Sequence, residues 1–207
     1  MVSKYRLRRI FRPLVVWIAK QFQKANITPN QVSIFGTIIA LSGCAFFILL
    51  NNLWGSLLFA LFVFTAGVLD GVDGTLARLT NTISVQGGYL DSVLDRYTDA
   101  CIIIAFLGYY LTQPPLLGIP LIVWVTVSLI GVFMVSYIRT KAEANGVPNC
   151  DVGLAGRSER LFIIFIFSLF NFLYPYSAYV GLIIVGILSH LTAIYRLYYT
   201  LQFKKKK

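Results

Sequence analysis

With 207 residues, a mean hydropathy of +0.75, 57% hydrophobic residues and only 13% charged ones, the chain has membrane composition, which excludes an ordinary water-soluble globule. The length suits one compact bundle and leaves no room for a second domain. A formal net charge of +10 could suit nucleic acid, but the basic residues cluster beside apolar runs, so no nucleic-acid partner is expected.

The start, MVSKYRLRRIFRP, is basic for too long to be a cleavable signal. Residues 4–24 can form an amphipathic helix with Ile10, Leu14, Trp17, Ile18 and Phe22 on one side, which reads as an interfacial helix on the membrane surface. The words NITPNQVS (26–33) lead into the first apolar run, where Thr28 or Asn30 can cap a helix and Pro29 suits its first turn. Six apolar runs follow, near residues 31–50, 55–79, 87–111, 116–142, 158–173 and 176–200. Each approaches the ~20 residues needed to cross a bilayer. Backbone inside lipid must satisfy its own hydrogen bonds, so the expected fold is all-α integral membrane, with six transmembrane helices plus the N-terminal interfacial helix. The expected layout is a single domain over 1–207: interfacial helix 1–26, six-span bundle 31–200 and basic tail 201–207.

The 18 Lys and Arg fall before the first run, around the second and fourth breaks, and at the C-terminus; the other three breaks carry no charge. By the positive-inside rule both termini and these two breaks face the cytoplasm, giving a multi-pass cell-membrane protein. The KKKK tail reads as a topology anchor that touches anionic lipid head groups.

The segment Leu69–Ala100 holds Asp70, Asp73, Asp91, Asp95 and Asp99. Asp70 and Asp73 share one face of the second run; Asp91, Asp95 and Asp99 share one face of the third. With a nine-to-ten-residue turn between them, the four acids nearest the turn can face each other across a gap. Acids at the edge of lipid repel strongly and mark functional sites. Arg78 and Arg96 can neutralise only part of this charge, so the cluster implies hard divalent cations and a phosphate-bearing ligand. Gly71, Gly74, Gly87 and Gly88 fit close approach of such a ligand. Asp99 is as readily a bundle-locking acid, paired with Arg96 three residues away.

These residues carry a family resemblance. The pattern D-x-x-D-G-x-x-A-R-(x8)-G-x-x-x-D-x-x-x-D is met by Asp70, Asp73, Gly74, Ala77, Arg78, Gly87, Asp91 and Asp95. It resembles the signature of the CDP-alcohol phosphotransferases, and the likeness covers nearly the whole chain. The resemblance implies displacement of CMP from a CDP-linked lipid by a hydroxyl, a homodimer, and a divalent cofactor, Mg²⁺ or Mn²⁺, as two ions. Asp70, Asp73 and Asp91 would be the main metal ligands. Asp95 would be the catalytic general base and an additional ligand. Gly74, Ala77 and Arg78, with Pro29 and Asn30 before the first run, would bind the CDP-lipid.

The acceptor is read from the fourth break. SYIRTKAEANG (136–146) and GLAGRSERL (153–161) bring Arg139, Lys141, Arg157 and Arg160 to the cytoplasmic face, and Arg196 lies near the end of the last run. So many cations fit a phosphorylated polyol better than serine or choline. These words resemble the phosphatidylinositol-phosphate synthase branch and its archaetidylinositol-phosphate relatives, which implies inositol 1-phosphate as acceptor, held by Arg139, Arg157 and Arg196. Here Arg139 stands for a Lys, Lys141 for an Arg, and Gly156 where an acid is common. Glycerol 3-phosphate is the runner-up acceptor. A prenyltransferase would carry an N-D-x-x-D motif, absent here, and an acid-lined cation transporter would place its acids at mid-membrane. His190 and the cysteines Cys44, Cys101 and Cys150 read as packing residues, and Trp17, Trp54 and Trp124 as an interface belt.

Overall fold

A computed structural model describes residues 10–111, 114–147 and 150–205. Lys4, Arg6, Arg8, Arg9, Lys206 and Lys207 of the expected basic ends lie outside the described residues. The described residues form helices α1 (Arg12–Lys24), α2 (Pro29–Leu50), α3 (Leu53–Leu79), α4 (Val85–Tyr110), α5 (Leu121–Ala144), α6 (Arg157–Leu169) and α7 (Ser177–Lys205), with a 3₁₀ turn at Phe170–Phe172. The helix starts are written locally. Thr28 forms a capping box with Gln31, its Oγ1 accepting from the Gln31 amide at 3.4 Å while Gln31 Oε1 accepts from the Thr28 amide at 2.8 Å. Asn52 caps α3 through the Gly55 amide at 3.0 Å, and Ser84 caps α4 through the Gly87 amide at 3.0 Å. That last cap corrects the expected turn over 80–88. The link is only Thr80–Ser84, and Val85–Gly88 are already helical.

Every expected apolar run has a helix, but among the described residues four helices are long and apolar enough to cross a membrane: α2, α3, α5 and the Ser177–Phe203 part of α7. The chain is therefore a helical membrane protein. Helix α4 has the length but carries Asp91, Asp95, Arg96 and Asp99. Helix α6 has 13 residues, so it spans only ~20 Å of a hydrocarbon core near 30 Å thick.

Helix α2 is the backing element: it packs on both α3 and α4, which have no extensive interface with each other. Small residues allow the tight fit. A Cβ on Gly43 would stand 2.6 Å from Phe62 Cβ of α3. The main core stacks Phe47 between Phe59 (4.3 Å) and Tyr109 (4.1 Å). Helix α5 packs on α7, α6 on α3 and α7, and α1 on α3. Val15, Ile18, Ala19 and Phe22 of α1 settle against Val32, Leu69, Val72 and Leu76. Gly71 serves this contact: Val15 would lie 3.3 Å from its Cβ.

His190 is a packing residue, donating from Nε2 to the Val127 carbonyl at 2.9 Å. The three cysteines are free thiols, two of them buried. Trp17 and Trp54 are exposed as a belt requires, whereas Trp124 packs against the core.

Candidate active site

Asp70, Asp73, Gly74 and Ala77 follow an i, i+3, i+4, i+7 stripe on the last turns of α3, and Asp91, Asp95 and Asp99 an i, i+4, i+8 stripe on α4. Because α2 holds the two helices without closing them on each other, the stripes meet across a gap. Ligand oxygens of Asp70, Asp91 and Asp95 lie within 4.8 Å of one another. At an effective dielectric of ~20, each such pair of charges repels by at least roughly 3 kcal/mol. The cluster therefore needs a cation, and oxygen ligands in this number suit Mg²⁺ or Mn²⁺.

Asp73 flanks this group. Its Oδ1 accepts from the Gly74 amide, and its Oδ2 accepts from the Ser33 hydroxyl at 2.7 Å. Ser33 was not singled out from the sequence. It sits one turn past Pro29, whose carbonyl accepts from the same hydroxyl at 3.2 Å, so the signal was its place in the first turns of α2. Pro29 and Asn30 themselves do not line the site. What they do is begin the helix that delivers Ser33, with Asn30 Oδ1 3.2 Å from where a Gly87 Cβ would stand.

The guanidinium of Arg157, expected on the acceptor side, enters the carboxylate cluster. Its Nη1 donates to Asp70 and reaches Asp95 Oδ1 at 2.7 Å, while its Nε donates to Asp99 Oδ1 at 3.2 Å. Asp99 also accepts from Arg160 Nη2 at 2.9 Å, and both side chains are nearly fully buried. Asp99 is thus a locking acid, but its partners are Arg160 and Arg157. Arg96 turns to Asp95 (3.6 Å) and to the Ser92 carbonyl (3.1 Å). Arg160, expected to bind acceptor phosphate, spends a donor on this lock.

A cavity of about 840 Å³ opens beside the cluster and joins it to the other expected residues. Asp70, Asp73, Asp91, Asp95, Gly74, Arg78, Arg139, Arg157, Arg160 and Arg196 all line it. Arg78 is exposed there and donates to Thr75 at 3.1 Å. Ala77 lies on the stripe but not on the cavity wall. Lys141 is a correction: it is exposed and lines neither cavity, because two residues beyond Arg139 a helix has turned by ~200°. Arg196 is buried. It donates to the carbonyls of Val152 (2.9 Å) and Val135 (2.8 Å) and to Asp151 (3.3 Å). Arg12 of α1 and the acids Glu143, Asp151 and Glu159, unremarked in the sequence, complete a wall of seven arginines and seven carboxylates. Glu143 stands i+4 from Arg139 on α5 and pairs with it at 2.9 Å, a local signal; no periodicity or motif marks the other three.

A membrane-embedded helical bundle that gathers carboxylates for a divalent ion beside an arginine-lined cavity defines an enzyme that handles phosphate esters of lipids. The chain belongs to the CDP-alcohol phosphatidyltransferase family, whose model matches residues 26–194. It is 40% identical over 202 residues to the archaetidylinositol phosphate synthase of Pyrococcus horikoshii, covering 96% of this chain and 95% of that one. Its fold is similar to the Mycobacterium tuberculosis phosphatidylinositol phosphate synthase with CDP-DAG bound (TM-score 0.74, 25% identity, 91% of this chain and 94% of that chain). The same synthase in complex with manganese and citrate aligns with a TM-score of 0.75 at 27% identity, covering 90% of this chain and 88% of that chain. The enzyme uses a divalent metal, and the carboxylate oxygens of Asp70, Asp91 and Asp95 fit one.

Proposed function

We propose that the enzyme transfers the phosphatidyl-type group of a CDP-linked lipid to the hydroxyl of inositol 1-phosphate and releases CMP. The carrying observation is that one cavity holds both the carboxylate cluster and the cations Arg139, Arg157 and Arg196. A donor diphosphate and a phosphorylated acceptor need those two halves side by side. The likeness to an archaetidylinositol phosphate synthase over nearly the whole chain supports the same acceptor.

Asp70, Asp73, Asp91 and Asp95 would hold two Mg²⁺ or Mn²⁺ ions. Bound there, such ions would supply positive charge to offset the diphosphate and the CMP leaving group. The protein residues supply the rest. Asp95 takes the proton of the attacking hydroxyl; that oxygen bonds to the lipid-bearing phosphorus, and the bond from this phosphorus to CMP breaks. Gly74 leaves room for the nucleotide beside α3, and Arg78 offers a planar fork of donors to a donor phosphate. Ser33 steadies Asp73 through its 2.7 Å hydrogen bond. Arg157 lies between the two halves, near enough to the cluster to bind acceptor phosphate beside the reacting centre. Charge balance supports this arrangement. The wall's seven arginines face seven carboxylates and, behind them, Asp99 on Arg157 and Arg160, a balance of −1, so two divalent ions would leave three positive charges. A diphosphate diester carries two negative charges and a phosphate monoester about 1.5 to 2 at neutral pH.

In the membrane, α4 and α6, the latter lengthened by the 3₁₀ turn at Phe170–Phe172, complete a six-span bundle with α2, α3, α5 and α7. Both termini and the site are cytoplasmic, where the basic residues concentrate. Helix α1 lies at the interface with Leu14 and Trp17 toward lipid, and the enzyme works as a homodimer.

The test is CMP release by purified protein with CDP-lipid, Mg²⁺ and a panel of inositol 1-phosphate, free inositol, glycerol 3-phosphate and serine. Turnover is expected with inositol 1-phosphate, and Arg157→Ala is expected to raise the acceptor KM more than the donor KM. Equal use of free inositol refutes the phosphate pocket, and preference for glycerol 3-phosphate refutes the acceptor.

A further inference from the structure

Between α5 and α6 the segment from Cys150 to Gly156 is held against one stripe of α7. Thr192, Arg196 and Thr200 are spaced i, i+4, i+8 and so share a face. Thr192 Oγ1 accepts from the Ala155 amide at 3.0 Å. Arg196 Nε donates to the Val152 carbonyl at 2.9 Å, and the Thr200 hydroxyl lies 3.6 Å from Cys150 Sγ. Gly153 makes the docking possible. Its φ is +107°, and a Cβ there would stand 2.4 Å from Thr192 Cγ2.

This docking puts Asp151 at one fixed place between two helices. Its Oδ1 lies 3.3 Å from Arg196 Nη2 of α7 and 3.6 Å from Arg139 Nη1 of α5. Arg139 is gripped from the other side by Glu143, whose Oε1 accepts from its Nε at 2.9 Å. Arg196 is immobile by burial. Arg139 is not: it is among the more exposed cavity arginines, on a long side chain with much rotamer freedom. Two acids on different parts of its guanidinium remove that freedom. An arginine alone on a half-exposed helix face would have to be ordered by its ligand, which costs affinity.

We infer that Asp151 is a positioning residue for the acceptor pocket: set in place by the Thr192, Arg196 and Thr200 stripe, it pre-orients Arg139 against Arg196 so that both meet the acceptor's phosphate. This rests on the acceptor reading given above. It assigns Asp151 no contact with substrate.

The experiment uses the full chain in detergent with Mg²⁺ and CDP-lipid, varying inositol 1-phosphate and following CMP release. Asp151→Asn is expected to raise the acceptor KM about tenfold while leaving the CDP-lipid KM nearly unchanged, the usual scale for losing a supporting residue; the lost charge beside buried Arg196 lowers the melting temperature as well, so the ratio of the two KM effects is the readout. Asp151→Glu should recover most of the loss. Adding Asp151→Asn to Arg139→Ala should do much less harm than Asp151→Asn does alone, since most of its effect passes through Arg139 and only the contact with Arg196 remains. An unchanged acceptor KM, an equal rise in both KM values, or additive losses overturns the inference. If the Asn variant cannot be purified folded, Thr192→Val decides: a raised acceptor KM supports the docking role and an unchanged one refutes it. Arg157→Ala runs in parallel. A raised acceptor KM there, with none in Asp151→Asn, removes the positioning inference alone, whereas flat values in both remove the acceptor reading.

Discussion

Asp99→Asn separates the acid that locks the bundle from the acids that do chemistry. The substitution keeps the shape of the side chain and removes its charge. In the native protein Asp99 Oδ2 accepts from Arg160 Nη2 at 2.9 Å and Oδ1 from Arg157 Nε at 3.2 Å, with the Asp99 side chain 6% exposed and that of Arg160 4%. Arg160's other bond in this surrounding is a 3.5 Å contact from Nη1 to the Ala155 carbonyl. Neutralising Asp99 therefore leaves a buried guanidinium short of its counter-charge, a defect that costs about 3 kcal/mol or more. For a chain of 207 residues each kcal/mol moves the midpoint by roughly 2–4 °C, so the melting temperature should fall by about 6–12 °C. Thermal unfolding in detergent, followed by tryptophan fluorescence, measures this directly. A double variant, Asp99→Asn with Arg160→Met, removes the stranded charge and should recover part of the loss. A melting temperature within about 2 °C of wild type would refute the locking role, because a buried ion pair cannot lose one partner so cheaply.

Asp95→Asn should behave in the opposite way. CMP release is expected to fall by about 10²–10⁴, the typical worth of a general base, with the melting temperature held, since one repelling charge leaves the cluster. Vigorous turnover by that variant would remove the base assignment. Ser33→Ala deletes the 2.7 Å hydrogen bond to Asp73 and should weaken Mn²⁺ binding, read by calorimetry, by about tenfold, the scale of other residues that orient metal ligands. An unchanged affinity counts against a metal role for Asp73. Gly43→Ala would force a Cβ to 2.6 Å from Phe62 Cβ, so the α2–α3 seam must open. A destabilisation of about 1–3 kcal/mol is expected by melting, and a neutral result would mean the seam yields freely.

The membrane class, the helices and the reactive carboxylates were legible from sequence because each is a local property. Apolar run length reports a spanning helix, Thr28 announces a helix start through its own side chain, and acids three or four residues apart must share a helix face. Asp70, Asp73, Asp91 and Asp95 therefore declared themselves, and the cavity collects all four. Arg157 and Arg160 were visible as cations, placed by charge and, for Arg157, by the resemblance, and neither says which carboxylate a long side chain reaches. Packing of α6 against α3 carried them toward Asp70 and Asp99. Lys141 and Arg139 looked equivalent in the chain until helical rotation turned one away from the cavity. Ser33 and Arg12 reach the site across 40 to well over 50 residues of chain, and no local pattern encodes such a meeting. Periodicity is fixed by backbone geometry within one helix, so sequence alone reports it. Which faces meet depends on the packing of all seven helices at once, and only the tertiary structure decides that.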